Sequence, residues 1–150
     1  MNIQKTEKNF SDQATMKHSI LIVEDEKCVR ECMAMALSDI YKTYQAANGR
    51  EAMEIINVNN DIRVVVSDLN MPQVNGLELL EKIRTEQINT PFIFVTGHTH
   101  AETKAYAEQI GVFDYITKPL DLDKLETIIQ RAIESQSTSY GKPSNKGDVS

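Results

Sequence analysis

The chain has 150 residues, 41% hydrophobic and 25% charged, which predicts one folded domain with its own core. Its formal net charge of −6 argues against a general surface for nucleic acids or anionic membranes. No apolar run is long enough to span a membrane and the polar N-terminal tail, 1–17, lacks the hydrophobic segment of a secretory signal, so a cytoplasmic location is expected.

The first strand and the first helix are predicted over 19–25 and 26–38. The strand is an apolar run that ends in the acidic pair Glu24 and Asp25, and such a run is typical of a strand buried on both faces. The helix carries one face of apolar residues at helical spacing, formed by Val29, Met33, Ala36 and Leu37.

Two cysteines, Cys28 and Cys32, lie four residues apart on this helix. A metal or redox pair is one interpretation, but no Cys/His cluster stands nearby, and reduced thiols fit a cytosolic protein. Both are therefore interpreted as small helix residues, with Cys32 near the core face.

A short strand over 41–46 and a helix over 50–57 come next. A run of valines then predicts the third strand over 63–68, which ends at Asp68. An acidic residue at the end of a buried strand is costly unless it is paired, hydrogen-bonded or close to a cation. Asp68 is therefore the most informative residue of the chain.

The third helix is predicted to open at Gly76 and to turn Leu80 and Ile83 inward. The fourth strand is predicted over 91–96, where a second apolar run ends in a polar residue, Thr96. The polar residue again falls at the end of a strand, as the acids do in the first and third strands.

The remaining elements are a helix over 100–110, a strand over 112–117 and a last helix capped by Asp121. The last helix has the clearest apolar stripe of the chain, formed by Leu122, Leu125, Ile129, Ala132 and Ile133. Ser, Gly, Lys and Asn dominate after it, so the folded domain is predicted over 18–135 and a disordered tail over 136–150.

Strands that alternate with helices predict an α/β fold, a (βα)5 doubly wound five-stranded parallel sheet with helices on both faces. The carboxyl ends of parallel strands lie on one edge, where such folds bind ligands. Glu24, Asp25, Asp68, Thr96 and Lys118 would then converge. Three carboxylates, a hydroxyl and an ammonium group indicate magnesium binding and phosphoryl transfer.

These strand-end motifs resemble those of the receiver domain of two-component response regulators. The resemblance covers roughly 17–135 and rests on four motifs in order: Ile22-Val23-Glu24-Asp25, Ser67-Asp68-Leu69-Asn70-Met71-Pro72 with Gly76 after it, Val95-Thr96-Gly97, and Asp114-Tyr115-Ile116-Thr117-Lys118-Pro119. Each motif alone is weak, but all four in order are specific. The resemblance implies the flavodoxin-like strand order 2-1-3-4-5.

The resemblance also implies a role for each site residue. Asp68 would be the phosphoacceptor, with Mg2+ held by Glu24, Asp25, Asp68 and the backbone carbonyl of Asn70. Lys118 would place its charge on the phosphoryl oxygens. Taken singly, Asp68 could instead be a turn cap, the acidic pair a helix cap, and Lys118 a solvated surface lysine.

Thr96 and Tyr115 would be the switch pair in such a domain. The Thr96 hydroxyl would move to the phosphoryl group, Tyr115 would move inward, and the surface of the fourth helix, fifth strand and fifth helix would repack. An ordinary strand-end threonine and a half-buried tyrosine are the alternatives for this pair.

Four positions depart from the common pattern of the family or tune it. Phe113 and Val112 make the output face more apolar, which favours self-association or a hydrophobic partner, with local packing as the alternative. His98, together with Asn70, occupies a position that in the family sets how fast water reaches the acyl phosphate. No separate metal site is expected at His98 and His100.

Three other functions remain open. A haloacid-dehalogenase-type phosphatase would need a second acid where Asn70 stands, and a flavin-binding module would need a phosphate loop where Glu24-Asp25-Glu26 would repel the phosphate. A receiver that has lost phosphorylation is disfavoured by the presence of Asp68, Thr96 and Lys118.

The resulting hypothesis is a stand-alone regulatory phosphoacceptor that is not an enzyme in its own right. Its expected partners are a histidine kinase or a histidine phosphotransfer protein and a downstream protein target. No direct contact with nucleic acid or membrane is expected, and the chain would be a monomer or a phosphorylation-dependent dimer.

Overall fold

Five parallel strands form one sheet in the part of the chain that the structure describes, residues 17–71, 75–97 and 100–141 of a computed structural model. The strands are β1 (Ser19–Val23), β2 (Lys42–Ala46), β3 (Ile62–Asp68), β4 (Phe92–Thr96) and β5 (Asp114–Thr117). Their order is β2-β1-β3-β4-β5, and every pair is parallel. The predicted fold class and strand order are confirmed.

Helices cover both faces of this sheet. They are α1 (Lys27–Leu37), α2 (Gly49–Val58), α3 (Gly76–Thr85), α4 (Ala101–Gln109) and α5 (Leu122–Gly141). Side chains cap several of them: the Asn48 amide oxygen accepts the Glu51 N–H at 2.9 Å, and the predicted cap Asp121 accepts N–H groups of the first turn of α5. Asn75 and Glu78 form a capping box at α3.

Alternate strand residues point to opposite faces and build two cores. Ile20 and Ile22 of β1 pack with α1 and α5, whereas Leu21 and Val23 pack with α2, α3 and α4. All five residues of β1 are buried, as are all five of β4. These two strands therefore have no open face, and a charged side chain is best accommodated at or just past their ends.

The inward face of α1 differs from the predicted one. Met33, Ala34 and Leu37 are buried, whereas Ala36 and Cys32 are exposed. Both cysteines are free thiols at the surface, so the placement of Cys32 near the core is wrong. The apolar residues of a helix can often be grouped into more than one possible buried face. In α1, packing against the sheet buries the face that includes Ala34.

The last helix also differs from the prediction at both ends. Leu122, the first residue of α5, is 40% exposed, while the other stripe residues are buried. The helix continues to Gly141, so 136–141 are helical where a disordered tail is expected from composition. Extending an anchored helix costs little compared with starting one, and Arg63 Nε donates to Gln136 Oε1 at 3.0 Å.

The predicted N-terminal tail lies outside the described residues apart from Lys17, and so does 142–150. Within the described ranges, no helix is long and apolar enough to cross a membrane.

Arg84 connects the end of α3 to two loops at the amino-terminal edge of the sheet. Its Nη1 donates to the carbonyls of Ile88 and Thr90 at 2.9 and 3.0 Å, and its Nη2 donates to the carbonyl of Gly111 at 2.9 Å. Burial lowers the pKa of this guanidinium, because desolvation disfavours its charge.

Arg84→Ala is expected to lower the free energy of unfolding by about 3 kcal/mol, since three carbonyls lose a charged donor. Urea denaturation measures the loss. Lys82→Ala, at an exposed position of the same helical turn, is the control and should stay within about 0.5 kcal/mol of the unmutated protein. Equal losses in both variants would contradict a specific role for the three bonds.

Candidate phosphoacceptor and metal site

Three carboxylates meet at the carboxyl edge of the sheet. One carboxylate oxygen each from Glu24, Asp25 and Asp68 lie within 4.8 Å of one another. Glu24 and Asp68 are buried and Asp25 is exposed, so the cluster opens to solvent on the Asp25 side. The residues come from the ends of β1 and β3, which are neighbours in the sheet.

The loop between β1 and α1 places the first two acids. The Glu24 N–H donates to the Ala46 carbonyl at 3.0 Å, which continues the pairing with β2 for one residue past the strand. The chain then turns, and the Glu26 N–H donates to Glu24 Oε2 at 3.1 Å. Glu24 is thus held inward at 3% exposure, while Asp25 sits at the outside of the turn.

Asp68 is the last residue of β3 and is 7% exposed. Its Oδ1 accepts the Asn70 N–H at 3.1 Å, and its Oδ2 lies 3.5 Å from the Lys118 ammonium nitrogen. The buried Ser67 hydroxyl donates to the Asp68 carbonyl at 2.9 Å. The contacts from Asn70 and Lys118 satisfy a carboxylate that burial alone would penalise, and they leave it close to the other two acids.

Lys118 follows β5 on the opposite side of the cluster. Its N–H donates to the Thr96 carbonyl at 2.8 Å, so its backbone is tied to the end of β4. The peptide bond between Lys118 and Pro119 is cis. The Lys118 side chain remains 38% exposed, so its ammonium group is accessible to an incoming anion.

The Glu24 carboxyl carries the strongest electrostatic signature of the site. Burial, opposed by the bond from the Glu26 N–H and reinforced by the negative charge of Asp68, raises its pKa from 4.5 to about 7. The surroundings of the Glu24 carboxyl group, which include a second acid, offer too little positive charge to stabilise its ionised form. A divalent cation bound at this cluster would supply that charge.

Because the pKa of Glu24 is higher in the folded state, the folded chain holds a proton that the unfolded chain has released between about pH 4.5 and 7. The unfolding free energy of metal-free protein should therefore fall as pH rises through this window, relative to Glu24→Gln, by on the order of 2 kcal/mol. Urea denaturation of both proteins at pH 5 and pH 8 measures the difference. Parallel pH profiles would contradict the raised pKa.

The donor set fits magnesium. Carboxylate and carbonyl oxygens are the ligands that this hard cation prefers, and an open side leaves room for the waters it usually keeps. The described residues around the cluster offer no thiolate or imidazole that would favour a softer metal. The predicted fourth ligand, the Asn70 carbonyl, belongs to the loop that Asp68 Oδ1 already holds through the Asn70 N–H.

Thr96 and Tyr115 occupy neighbouring strands. Thr96 is fully buried at the end of β4. Tyr115, in β5, is half-buried; its ring centroid lies 5.9 Å from that of Phe94, and its hydroxyl donates to the Lys104 carbonyl of α4 at 3.1 Å. Burial raises the pKa of the Tyr115 hydroxyl. Tyr115 is thus attached to α4 and does not reach the acidic cluster in this arrangement.

The remaining residues named in the sequence analysis lie outside the acidic cluster or outside the described residues. Phe113 is half-buried against the core, with the Arg131 guanidinium 5.8 Å above its ring, and Val112 packs on the opposite core. Both contacts favour local packing over an exposed apolar surface. His100 is exposed just before α4. His98 lies outside the described residues, as does Pro72 of the second motif.

The role of Arg30 and the close approach at Gly76 were not predicted from sequence. Arg30 Nη1 donates to the Glu24 carbonyl at 2.8 Å, although only its position one turn into α1 could have suggested it. At Gly76, a Cβ would lie 2.7 Å from the Asp68 carbonyl oxygen. A glycine at the start of a helix was the available signal for such a close approach.

The comparison with known proteins agrees with this geometry. The family model described as the response regulator receiver domain matches residues 20–130. The chain is 38% identical over 125 residues to the regulatory protein AtoC of Escherichia coli (strain K12), covering 82% of this chain and 27% of AtoC. It is 27% identical over 128 residues to the response regulator SaeR of Staphylococcus aureus (strain USA300), covering 85% of this chain and 55% of SaeR.

The chain therefore spans about a quarter of AtoC and about half of SaeR. Among solved structures, it is similar to a response regulator receiver domain protein from Clostridium thermocellum, with a TM-score of 0.76, 28% identity, and coverage of 80% of this chain and 97% of that one. It is also similar to the receiver domain of the Francisella response regulator 1452, with a TM-score of 0.74 and 30% identity. That match covers 80% of this chain and 99% of the Francisella domain. Residues 20–130, with the acidic cluster at their strand ends, belong to the response regulator receiver domain family, whose members are phosphoacceptors in two-component signalling.

Proposed function

We propose that Asp68 accepts a phosphoryl group from a histidine kinase or a histidine phosphotransfer protein. The observation that carries the proposal is the position of its carboxylate, within 4.8 Å of Glu24 and Asp25 and 3.5 Å from the Lys118 ammonium nitrogen. Glu24, Asp25, Asp68 and the Asn70 carbonyl would hold Mg2+, which when bound would neutralise the acids and the incoming phosphoryl oxygens.

The chemistry needs one nucleophile and fixed positive charge. An oxygen of the Asp68 carboxylate attacks phosphorus, the bond from phosphorus to the donor histidine nitrogen breaks, and an acyl phosphate forms. The Lys118 ammonium group, already beside Oδ2, stabilises the charge on the phosphoryl oxygens during this transfer. Hydrolysis by water then returns the carboxylate, so the domain is regulatory and has no separate substrate.

A change at Asp68 would reach the surface through β4 and β5. Thr96 ends β4 beside the Asp68 end of β3, and Tyr115 holds the Lys104 carbonyl of α4. We propose that the Thr96 hydroxyl moves to the phosphoryl group and Tyr115 moves inward, which releases this bond and repacks the face formed by α4, β5 and α5. Partner affinity would change by the difference between the two states.

The partners that this function implies are proteins. The net charge of −6 favours a downstream protein target over direct contact with nucleic acid or membrane, and a cytoplasmic monomer or phosphorylation-dependent dimer remains the proposed state. A haloacid-dehalogenase-type phosphatase is disfavoured because Asn70, not an acid, stands two residues after Asp68 and bonds to it through its backbone.

The experiment is phosphorylation by acetyl phosphate with and without magnesium, followed by intact-mass measurement. The mass of one phosphoryl group should appear with magnesium, disappear with a chelator, and be removed by hydroxylamine, which cleaves acyl phosphates. A phosphoryl group that forms equally without a divalent cation would contradict the metal assignment. One that resists hydroxylamine would contradict a carboxylate acceptor.

A further inference from the structure

We propose that Arg30 is a positioning residue that holds the loop between β1 and α1 so that Glu24 and Asp25 are ready for a cation before it binds. The proposal rests on the proposed function, because it assigns Arg30 a task in the magnesium site. It adds a residue from the helix to a site otherwise built from strand ends.

The side chain of Arg30 connects the end of β1 to the first turn of α1, where its backbone is already anchored. Its Nη1 donates to the Glu24 carbonyl at 2.8 Å, and its N–H donates to the Glu26 carbonyl at 2.9 Å in the first turn of the helix. The Glu24 residue is 3% exposed and lies just past β1, so a carbonyl there has left the strand ladder and depends on a side-chain donor or water.

Asp25 lies between two peptide groups that are both held. Arg30 binds the Glu24 carbonyl before it, and the Glu24 carboxylate accepts the Glu26 N–H after it at 3.1 Å. Asp25 is itself exposed, yet its carboxylate stays within 4.8 Å of the two buried acids. Without a cation the ionised carboxylates repel one another, so a restraint on the loop from outside the cluster favours the arrangement that binds the cation.

Arg30 restrains the loop through its backbone and leaves the carboxylates free to bind a cation. The guanidinium of Arg30 binds a backbone carbonyl, so it occupies no carboxylate oxygen that the cation needs. Lys118, in contrast, lies 3.5 Å from Asp68 Oδ2 and acts on the acceptor itself. The two basic residues therefore have separate tasks, with Arg30 setting the loop and Lys118 setting the charge at the acceptor.

The test measures magnesium affinity and loop protection in Arg30→Ala, Arg30→Lys and the control Arg50→Ala, an exposed arginine of α2. Calorimetric titration should show the dissociation constant for Mg2+ raised about tenfold in Arg30→Ala, since residues that orient metal ligands have effects of this size. Arg30→Lys should recover part of the affinity, because an ammonium group can donate to the same carbonyl. Arg50→Ala should match the unmutated protein.

A second readout needs no metal. Amide hydrogen exchange of Asp25 and Glu26 in metal-free protein should be faster in Arg30→Ala and unchanged in Arg50→Ala. Unchanged magnesium affinity or unchanged exchange in Arg30→Ala would overturn the proposal. If Arg30→Ala does not fold, the test uses Arg30→Lys instead. Weaker magnesium binding and faster loop exchange in Arg30→Lys than in the unmutated protein would support the proposal, and values equal to those of the unmutated protein would overturn it.

Failure of the positioning role can be told apart from failure of the metal site itself. Asp25→Asn, measured alongside, should bind Mg2+ more weakly than any Arg30 variant because it loses a ligand. If Asp25→Asn binds weakly while Arg30→Ala binds normally, Arg30 has no positioning role and the site stands. If Asp25→Asn also binds normally, the magnesium site is wrong.

Discussion

Asp68→Asn is expected to abolish phosphorylation by acetyl phosphate and the structural response to beryllofluoride. The substitution keeps the size of the side chain but removes the charged oxygen that would attack phosphorus, and an amide is a far poorer nucleophile. Because Asp68 is buried between the acidic pair and Lys118, no described carboxylate replaces it in the same position. Intact mass and two-dimensional NMR measure the two responses.

Asp39→Asn is the matched control, since it removes one acidic charge at an exposed position in the turn after α1. It should respond like the unmutated protein. An equal response in both variants would show that the acceptor lies elsewhere, and an equal loss would point to net charge.

Asp68→Asn should also fold well, which makes the functional loss interpretable. The negative charge of Asp68 is one of the causes that raise the pKa of Glu24. Removing that charge lowers the repulsion within the metal-free cluster, so the unfolding free energy at neutral pH should stay level or rise. Urea denaturation without magnesium measures this, and a large loss of stability would contradict the electrostatic account of the cluster.

Gly76→Ala is expected to destabilise the fold by about 2–3 kcal/mol, the usual cost of an added methyl group in a tightly packed place. The new Cβ would lie 2.6 Å from Phe94 Cε1, 2.7 Å from the Asp68 carbonyl oxygen and 3.0 Å from Leu69 Cα. Two of these atoms are backbone and cannot move aside as the end of a flexible side chain would. The start of α3 must therefore retreat, or the peptide after Asp68 must shift.

Gly97→Ala is the control for stability, because a Cβ at Gly97 meets nothing within 4 Å. It should change the unfolding free energy by less than about 0.5 kcal/mol. Urea denaturation compares the two variants, and phosphorylation of the folded fraction of Gly76→Ala should be slower because Asp68 is displaced. Equal stability of Gly76→Ala and the unmutated protein would show that the close approach is relieved without cost.

Sequence patterns predicted the elements of this fold well, and the reasons are local. Each central strand is a run of apolar residues with a polar residue at its end, as in β3, where the valines are buried and Asp68 follows. Helix boundaries came from caps such as Asp121 and from the apolar stripe of α5, and the observed ends lie close to the predicted ones except at Gly141. Local propensity and periodicity contain this information.

The helix rotations were less predictable. On α1, the choice between Ala34 and Ala36 as the buried alanine depends on which residues the sheet and α5 present to the helix. Composition also predicted disorder at Gln136, although its side chain accepts a bond from Arg63, 73 positions earlier in the chain. A contact between residues so far apart in the chain cannot be predicted from the sequence around either residue.

The order of residues along the chain specifies the chemistry of the site: which acids, hydroxyl and lysine stand at the strand ends, and that a parallel sheet would collect them on one edge. How these groups face one another depends on the packing of the folded chain: Glu24 is buried with its pKa raised to about 7, Asp25 is exposed, and Lys118 lies beside Asp68. The hydrogen bond from Arg30 to the Glu24 carbonyl and the lack of room for a Cβ at Gly76 are visible only in the folded structure. The physical reason is that residue type is written in the chain, whereas distance, burial and charge interaction arise when separate elements pack together.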